Sequence, residues 1–201
     1  PMTQGANPWS DMVCQEPMRQ AGKYLVRAVR DPADETARRG TMYAATLSGV
    51  AFGNGGCHLP HAMSYPVPGM VRNFQPFGYP ADEPICPDGM SVIVNAPAAY
   101  RFTSAAAPER HFEGAALLGA NTADAVPAEA GEILAEHLAE MMQQTDMPNG
   151  VGGVGFDGAD IDQSFAQTEG FAIAICSGEH GNFELYDFTG HQRGWEVLTD
   201  G

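Results

Sequence analysis

The feature that most constrains the fold of this chain is a long apolar stretch between residues 33 and 52. Asp31, a good N-cap residue, and Pro32, which suits the first helical position, come just before it, so a helix is predicted. Its apolar residues surround nearly the whole helix: Met42, Tyr43, Ala44, Ala45, Leu47, Val50, Ala51 and Phe52. Such a helix is normally buried among other helices. We therefore predict a mainly α chain, a helical bundle with this helix at its centre.

Further helices are predicted on both sides of this one. Ser10 or Asp11 can cap a helix whose apolar positions continue to residue 29, and Pro17 should break its early part or begin a new helix. Later helices are predicted over residues 88–106, 108–119, 127–145 and 157–167. Residues 66–87 hold six of the 15 prolines, which predicts an irregular but packed loop.

The character of the sequence changes after residue 169. Two apolar segments, 171–176 and 183–188, have the composition of strands, and a Gly-Glu-His-Gly-Asn run separates them. We therefore predict a helical domain over residues 1–168 and a divergent β-hairpin-like tail over residues 169–201.

Net charge and cysteine content indicate which binding partners and which cellular compartment to expect for this protein. The formal net charge of −15 repels phosphate backbones and anionic lipid, so we expect a small-molecule substrate and neither a nucleic acid nor a membrane partner. The four cysteines contain no C-x-x-C pair, which favours reduced thiols in a cytoplasmic protein. The N-terminal residues do not resemble a signal peptide, and no apolar segment reaches the ~18 residues of a membrane span.

The residues with the clearest chemical potential are His58, His61 and Asp88. If His58 and His61 lie on one helical turn, their spacing of three places both imidazoles on the same face. Imidazole and carboxylate groups suit divalent iron and zinc. The same spacing is also common for histidines that lie on the surface or are hydrogen-bonded in a core, and the pattern alone leaves both interpretations open.

A longer motif surrounds these histidines. Residues 50–67 read Val-Ala-Phe-Gly-Asn-Gly-Gly-Cys-His-Leu-Pro-His-Ala-Met-Ser-Tyr-Pro-Val, with further matches at residues 4–8, 23–32, 78–84 and 108–111. The run resembles the iron-containing (group III) alcohol dehydrogenases, and most closely their hydroxyacid–oxoacid transhydrogenase branch. The resemblance covers roughly residues 3–165. It implies the helical C-terminal domain of a dehydroquinate-synthase-like fold.

The resemblance also implies a metal cleft. In that family an N-terminal α/β domain binds the nicotinamide cofactor, and the metal between the domains has an Asp and three His ligands. By motif, His61 matches the third ligand, and Asp88 stands where the family has the His of Pro-His-Gly. His58 is a possible third ligand here. Tyr65 matches a cleft position and could donate to a substrate oxygen, or simply fill the floor of the cleft. We expect weakly held Fe2+ or Zn2+ in the 1–168 domain.

The cofactor prediction is limited by what this sequence contains. The segment that would supply the first two ligands and a nucleotide-binding domain are not found in it, and neither Gly-rich run follows a strand and opens a helix. We expect NAD to bind only if a separate nucleotide-binding domain is supplied. The predicted function is that of a truncated iron-containing alcohol dehydrogenase-like protein. Its substrate would be a small alcohol or hydroxyacid, with His58, His61 and Tyr65 as the candidate catalytic residues.

Two other functions stay open on sequence alone. One is a small ester hydrolase, with metal-bound water or with Ser177 as nucleophile and His180 or His191 as base, although there is no G-x-S-x-G motif. The other is a non-catalytic helical module that pairs with another chain or with itself. An uncovered apolar face is predicted near the cleft, made of Leu59, Met63, Val67, Met70 and the neighbouring Pro-rich loop. Either residues 169–201 fold back over this face, or a second copy of the chain covers it. We favour a homodimer, because segments 171–176 and 183–188 would leave a sheet edge that a symmetric partner can extend.

Overall fold

The structure is a computed structural model that describes residues 3, 5–80, 82–157 and 160, and the backbone of 173–177 and 182–186. Its α-helices are α1 (Pro8–Arg30), α2 (Glu35–Gly55), α3 (Leu59–Ser64), α4 (Pro66–Met70), α5 (Asp88–Ile93), α6 (Ala96–Thr103), α7 (Pro108–Leu118) and α8 (Ala130–Gln144). Short 3-10 turns occupy Ser104–Ala106, Pro127–Glu129 and Val151–Val154. Two compact units are formed, residues 1–58 with 103–146 and residues 59–102 with 147–201. The predicted boundary at residue 168 stays a prediction.

The first helix begins earlier than the sequence predicts. Asn7, not Ser10 or Asp11, is the N-cap of α1, and its side chain accepts from the backbone N–H of Ser10 at 3.0 Å. The hydroxyl oxygen of Ser10 accepts in return from the Asn7 N–H at 3.0 Å, so each residue caps the other. Pro8 then takes the first helical position, where a missing N–H costs nothing.

Pro17 does not break this helix, contrary to the prediction. It is buried inside α1, which continues to Arg30. A proline within a helix loses one backbone hydrogen bond and costs about 3 kcal/mol, so packing must offset that cost. Pro17 is buried in a helix that packs against both α2 and α7.

The predicted central helix buries only one narrow face. The buried residues of α2 include Ala37, Ala44 and Ala51, which repeat every seven residues and form a stripe of small side chains. Four of its large apolar side chains are exposed in the described structure: Met42 at 70%, Tyr43 at 51%, Val50 at 42% and Phe52 at 53%. The expectation of a helix buried on all sides is therefore wrong for the described residues. Small side chains let α1 and α2 approach closely, and the wide apolar pattern lies outside that contact.

The helices α7 and α8 complete the first unit and agree with the sequence. Pro108 opens α7, and Gly119 ends it in the left-handed conformation with φ of 99°. The 3-10 turn that starts at Pro127 leads into α8, which buries Leu134, Met141 and other small or apolar residues. Both α1 and α8 pack against α7.

The second unit contains shorter elements than the sequence predicts. Residues 88–106 were predicted as one helix, but α5 ends at Ile93 and α6 begins at Ala96. The proline at position 97 explains this break, because it cannot donate to the carbonyl of Ile93. Residues 66–70 form α4, so the irregular loop begins at residue 71 and not at residue 66.

The chain beyond residue 169 contains the two predicted strands. Strand β1 (Ile173–Ser177) and strand β2 (Asn182–Tyr186) pair antiparallel, with Ile173 opposite Tyr186 and Ser177 opposite Asn182. Most of the helix predicted over 157–167 lies outside the described residues. Within the described part of the chain, no helix has the length and apolar character that crossing a membrane requires.

Candidate functional site

His58 lies in the connection that follows α2. Gly56 ends α2 with φ of 77°, a conformation that glycine tolerates, and its N–H donates to the carbonyl of Phe52 at 2.7 Å. His58 comes after this turn and before α3, so it is not on a helical turn with His61 and the argument from a shared helical face does not apply. The residue is half-buried, and its Nδ1 atom is shielded from solvent.

His61 lies within α3 and is half-buried. The neighbours Pro60, Met63 and Ser64 are buried, and the Ser64 hydroxyl donates to the carbonyl of His61 at 2.8 Å. Helix α3 therefore has one face fixed in the core of its unit while His61 keeps partial access to solvent. That combination is compatible with a ligand or a proton-transfer group.

The position of α3 depends on Met63 and Asn95. The Met63 side chain is 2% exposed and forms a small core with Ala99, against which Leu59 and Phe102 also pack. Asn95, 4% exposed, donates its side-chain amide to the carbonyl of Met63 at 3.3 Å and to that of Ser91 at 2.8 Å. Sequence reasoning did not single out Asn95. The sequence feature that could have identified Asn95 is its position as a polar residue directly after the apolar run Val-Ile-Val.

Asp88 is the first residue of α5, and its side chain is exposed. Its backbone carbonyl accepts at 2.7 Å from the hydroxyl of Ser91, which is fully buried. Helix α5 packs against α3, so the structure places Asp88 and His61 on neighbouring elements of one unit. Tyr65, between α3 and α4, is 57% exposed.

The predicted apolar patch near these residues is not exposed as a whole. Met63 is 2% exposed and Val67 is 4% exposed, while Leu59 and Met70 are half-buried. The prediction of an uncovered surface made of these four residues is therefore wrong. Met63 is buried in a small core with Ala99, Leu59 and Phe102.

The donor set fits a divalent metal in chemistry but is incomplete in number. Imidazole nitrogen and carboxylate oxygen are both ligands of divalent iron and zinc. Among the described residues, no three or more His, Cys, Asp or Glu side chains lie close enough together to hold a metal ion. His61 and Asp88 therefore fit a metal as contributors to a site, and further donors would have to come from elsewhere.

An ion pair that the sequence did not predict fixes the segment after Val154. Both terminal nitrogens of Arg72 donate to the Asp160 carboxylate, at 2.7 and 2.8 Å, and the backbone N–H of Asp157 donates to it at 2.8 Å. The Arg72 guanidinium and then the Asp157 N–H hold the pKa of Asp160 below its usual value. The two residues are 88 positions apart, and no local pattern connects them.

The sequence was compared with models of known protein families, and one of them matches most of the chain. A family model described as "Fe-containing alcohol dehydrogenase family, C-terminal" matches residues 2–168. The chain belongs to the iron-containing alcohol dehydrogenase family. The family resemblance and the mainly helical C-terminal-domain fold predicted from the sequence are both confirmed.

Relatives of known name are similar to most of this chain. The mitochondrial hydroxyacid-oxoacid transhydrogenases of Bos taurus and Homo sapiens are each 42% identical over 161 residues. That alignment covers 80% of this chain and 34% of each relative, so the chain spans about a third of their length. The Caenorhabditis briggsae transhydrogenase is 39% identical over 163 residues.

Solved structures show the same fold. A 1,3-propanediol oxidoreductase and an alcohol dehydrogenase from Oenococcus oeni each superpose with a TM-score of 0.71 at 24% identity. Each match covers 82% of this chain and 40% of the solved chain. At this identity the likeness concerns the arrangement of the helices alone.

Proposed function

We propose that this chain supplies the helical part of an alcohol or hydroxyacid dehydrogenase of the iron-containing family. The observation that carries the proposal is the family match over residues 2–168, with His61 of the motif half-exposed on α3. The transhydrogenase relatives support a hydroxyacid or another small alcohol as substrate. Tyr65 is proposed to donate a hydrogen bond to a substrate oxygen, and its 57% exposure supports this because a substrate can reach an exposed hydroxyl.

The proposed metal is divalent iron or zinc, with His61 and Asp88 as the candidate ligands. His58 does not complete a set of three with them, because no three such donors lie together among the described residues. When bound, such an ion polarises an alcohol or carbonyl oxygen. The carboxylate of Asp88 replaces the imidazole that the family motif has at this position, and its exposure leaves it free to reorient towards an ion. Few protein ligands imply weak binding.

Metal titration tests this assignment. Purified chain should carry less than one equivalent of iron or zinc, and a chelator should remove it without unfolding the protein. His61→Ala should weaken zinc binding, whereas His137→Ala should not, because His137 is bonded to the carbonyl of Leu118 in the other unit. A tightly held stoichiometric metal that survives His61→Ala would refute the assignment.

Cofactor binding is proposed to need a nucleotide-binding domain in addition to the described residues. The chain is strongly anionic, and neither Gly-rich run joins a strand to a helix, so no phosphate-binding loop is predicted. Calorimetric titration of the purified chain with NAD should show no binding. A micromolar dissociation constant would overturn this part of the proposal.

Assembly as a homodimer is also a proposal. The exposed apolar side chains of α2 support it, in place of the predicted patch near α3. Light scattering should report a mass twice that of one chain, and deletion of residues 169–201 should change the oligomeric state or cause aggregation. A stable monomer from both proteins would contradict the proposed homodimer.

A cytoplasmic location likewise remains a prediction, and the named relatives are mitochondrial proteins.

No described residue favours ester hydrolysis over this function. Ser177 ends β1, while His180 and His191 lie outside the described residues. A non-catalytic module would be favoured by a defined oligomer that neither reduces NAD with an added nucleotide-binding domain nor cleaves esters. Those two assays on the same preparation therefore separate the three functions.

A further inference from the structure

A buried side-chain amide connects the two short helices that carry His61 and Asp88. The Nδ2 atom of Asn95 lies 3.3 Å from the carbonyl oxygen of Met63 in α3 and 2.8 Å from that of Ser91 in α5. Asn95 itself is 4% exposed and sits between α5 and α6. Both N–H groups of this amide are thus committed to carbonyl oxygens on different helices.

Helix α3 needs such an anchor because it is only six residues long. A helix of this length is not stable through its own backbone hydrogen bonds, so its position depends on packing and on bonds to its neighbours. Met63 supplies the packing and the acceptor together, since its side chain contacts Ala99 and its carbonyl accepts from Asn95. Met63 is two residues after His61 on the same helix.

The other bond reaches the helix that begins with Asp88. Ser91 accepts from Asn95 through its carbonyl and donates its own hydroxyl to the carbonyl of Asp88 at 2.7 Å. Hydrogen bonds therefore run from Met63 through Asn95 and Ser91 to the backbone of Asp88. This chain of bonds joins α3 to the first turn of α5.

We propose that Asn95 is a positioning residue that holds His61 in place relative to Asp88 for metal binding. This inference rests on the proposed function, because His61 and Asp88 are its proposed ligands. Asn95 itself contacts neither the metal nor the substrate; it acts through the backbone of the two helices. Residues that hydrogen-bond directly to a metal ligand typically change metal affinity about 10- to 100-fold when they are replaced, and Asn95 acts one step further away, through the backbone.

Two substitutions separate the two bonds of Asn95. Asn95→Asp keeps the shape of the side chain but turns a donor into a carboxylate oxygen that faces two carbonyl oxygens. Asn95→Ser keeps a hydroxyl that can donate to the carbonyl of Ser91, four residues earlier, but cannot reach Met63. Both variants therefore release α3, and only the first also disturbs the bond to α5.

Thr145→Val is the matched control for loss of a buried polar group. The Thr145 hydroxyl is buried and donates at 2.8 Å to the carbonyl of Met141, in the unit that does not contain α3. Its loss should lower thermal stability without moving His61. If metal affinity falls only because the protein is less stable, Thr145→Val should show the same fall in affinity.

The experiment is calorimetric titration of the full chain with Zn2+, repeated with Co2+ to follow ligation by visible absorption. We expect Asn95→Asp and Asn95→Ser to weaken Zn2+ binding by about tenfold, the lower end of the range for groups that bond directly to a metal ligand. Thr145→Val should bind Zn2+ as the unmodified chain does. If Asn95→Asp does not fold, Asn95→Ser decides the result.

The outcomes distinguish this inference from the function on which it rests. If His61→Ala abolishes binding while both Asn95 variants bind normally, the positioning role is wrong and the metal assignment stands. If His61→Ala leaves Zn2+ affinity unchanged, the metal assignment is wrong, and the positioning role is overturned with it. An equal loss of affinity in Thr145→Val would also overturn the positioning role.

Discussion

Replacement of Gly22 by alanine should destabilise this protein, although alanine is the better helix former. Gly22 lies within α1, where the helix passes the C-terminal end of α7. A Cβ atom at this position would lie 2.1 Å from the carbonyl oxygen of Leu118 and 2.6 Å from its carbonyl carbon. Both neighbours are backbone atoms, so no side-chain rotation can relieve the overlap.

The magnitude follows from two opposing effects. Alanine within a helix is favoured over glycine by roughly 0.5–1 kcal/mol. Ordinary van der Waals contact begins at 3.4 Å, so α1 and α7 would have to separate by more than 1 Å. Overpacking of this kind costs about 1–3 kcal/mol or more. The carbonyl of Leu118 also accepts from Nε2 of His137 at 3.1 Å, and that bond would be strained as well. We expect a net loss of about 1–2 kcal/mol.

Gly49→Ala is the matched control. Gly49 lies inside α2, and no atom outside its own helical backbone lies within 4 Å of a Cβ placed there. The same substitution should therefore stabilise the protein by roughly 0.5–1 kcal/mol. The change in the free energy of unfolding should therefore have opposite signs in Gly22→Ala and Gly49→Ala, although both replace glycine by alanine.

Urea unfolding followed by circular dichroism measures both free energies of unfolding. The reasoning is refuted if Gly22→Ala equals or exceeds the unmodified protein in stability, because the close approach of α1 to α7 would then be absent. It is also refuted if both variants are destabilised to the same extent. In that case the change would reflect the glycine replacement itself and not the contact with Leu118.

Three further predictions concern single polar groups of the first unit. Asn7→Ala should lower the free energy of unfolding by about 1 kcal/mol, because the reciprocal cap of α1 is lost, and Asn7→Asp should restore most of it in the same urea titration. Burial lowers the pKa of His111, whose Nδ1 lies 2.8 Å from the carbonyl of Ala107. The unfolded chain therefore binds a proton first, so stability should be full above about pH 6.5 and fall below it, by up to about 1.4 kcal/mol per pH unit, more than in His111→Gln. The Arg110 guanidinium lowers the pKa of Asp11 to about 2. The contribution of ionised Asp11 to stability should be present above the ordinary Asp pKa and lost as the pH falls towards 2. Asp11→Asn should lower the free energy of unfolding by at most about 1 kcal/mol, and by less in high salt, because the pair is partly exposed.

Local chemistry was sufficient to predict several elements from the sequence. Pro108 and Gly119 mark the two ends of α7, because proline suits the first helical position and glycine accepts the left-handed conformation. The two apolar segments after residue 169, separated by a Gly-containing run, predicted both strands within a few residues. The family motif around His61 was also readable, since it depends on residue identities and not on contacts.

Only the tertiary structure decided how the helices use their apolar faces. The sequence of α2 shows an apolar circumference, but the described structure buries its small residues, such as Ala44, and leaves Met42 exposed. Periodicity reports which faces can be buried, whereas burial depends on which neighbour reaches them. Pro17 is a second example. The sequence alone shows that a proline within α1 costs a backbone hydrogen bond, but only the tertiary structure shows that this residue is buried and packed.

The candidate site depends on distant contacts in the same way. The spacing of His58 and His61 suggested one helical face, but Gly56 ends α2 with a positive φ, and His58 comes before α3 begins. The amide of Asn95 joins residues 32 positions apart, which no local pattern encodes. Residue identity determines which groups can bind a metal or donate a proton. Their relative placement is decided by hydrogen bonds and packing between segments far apart in the chain, because those contacts form only when the helices fold together.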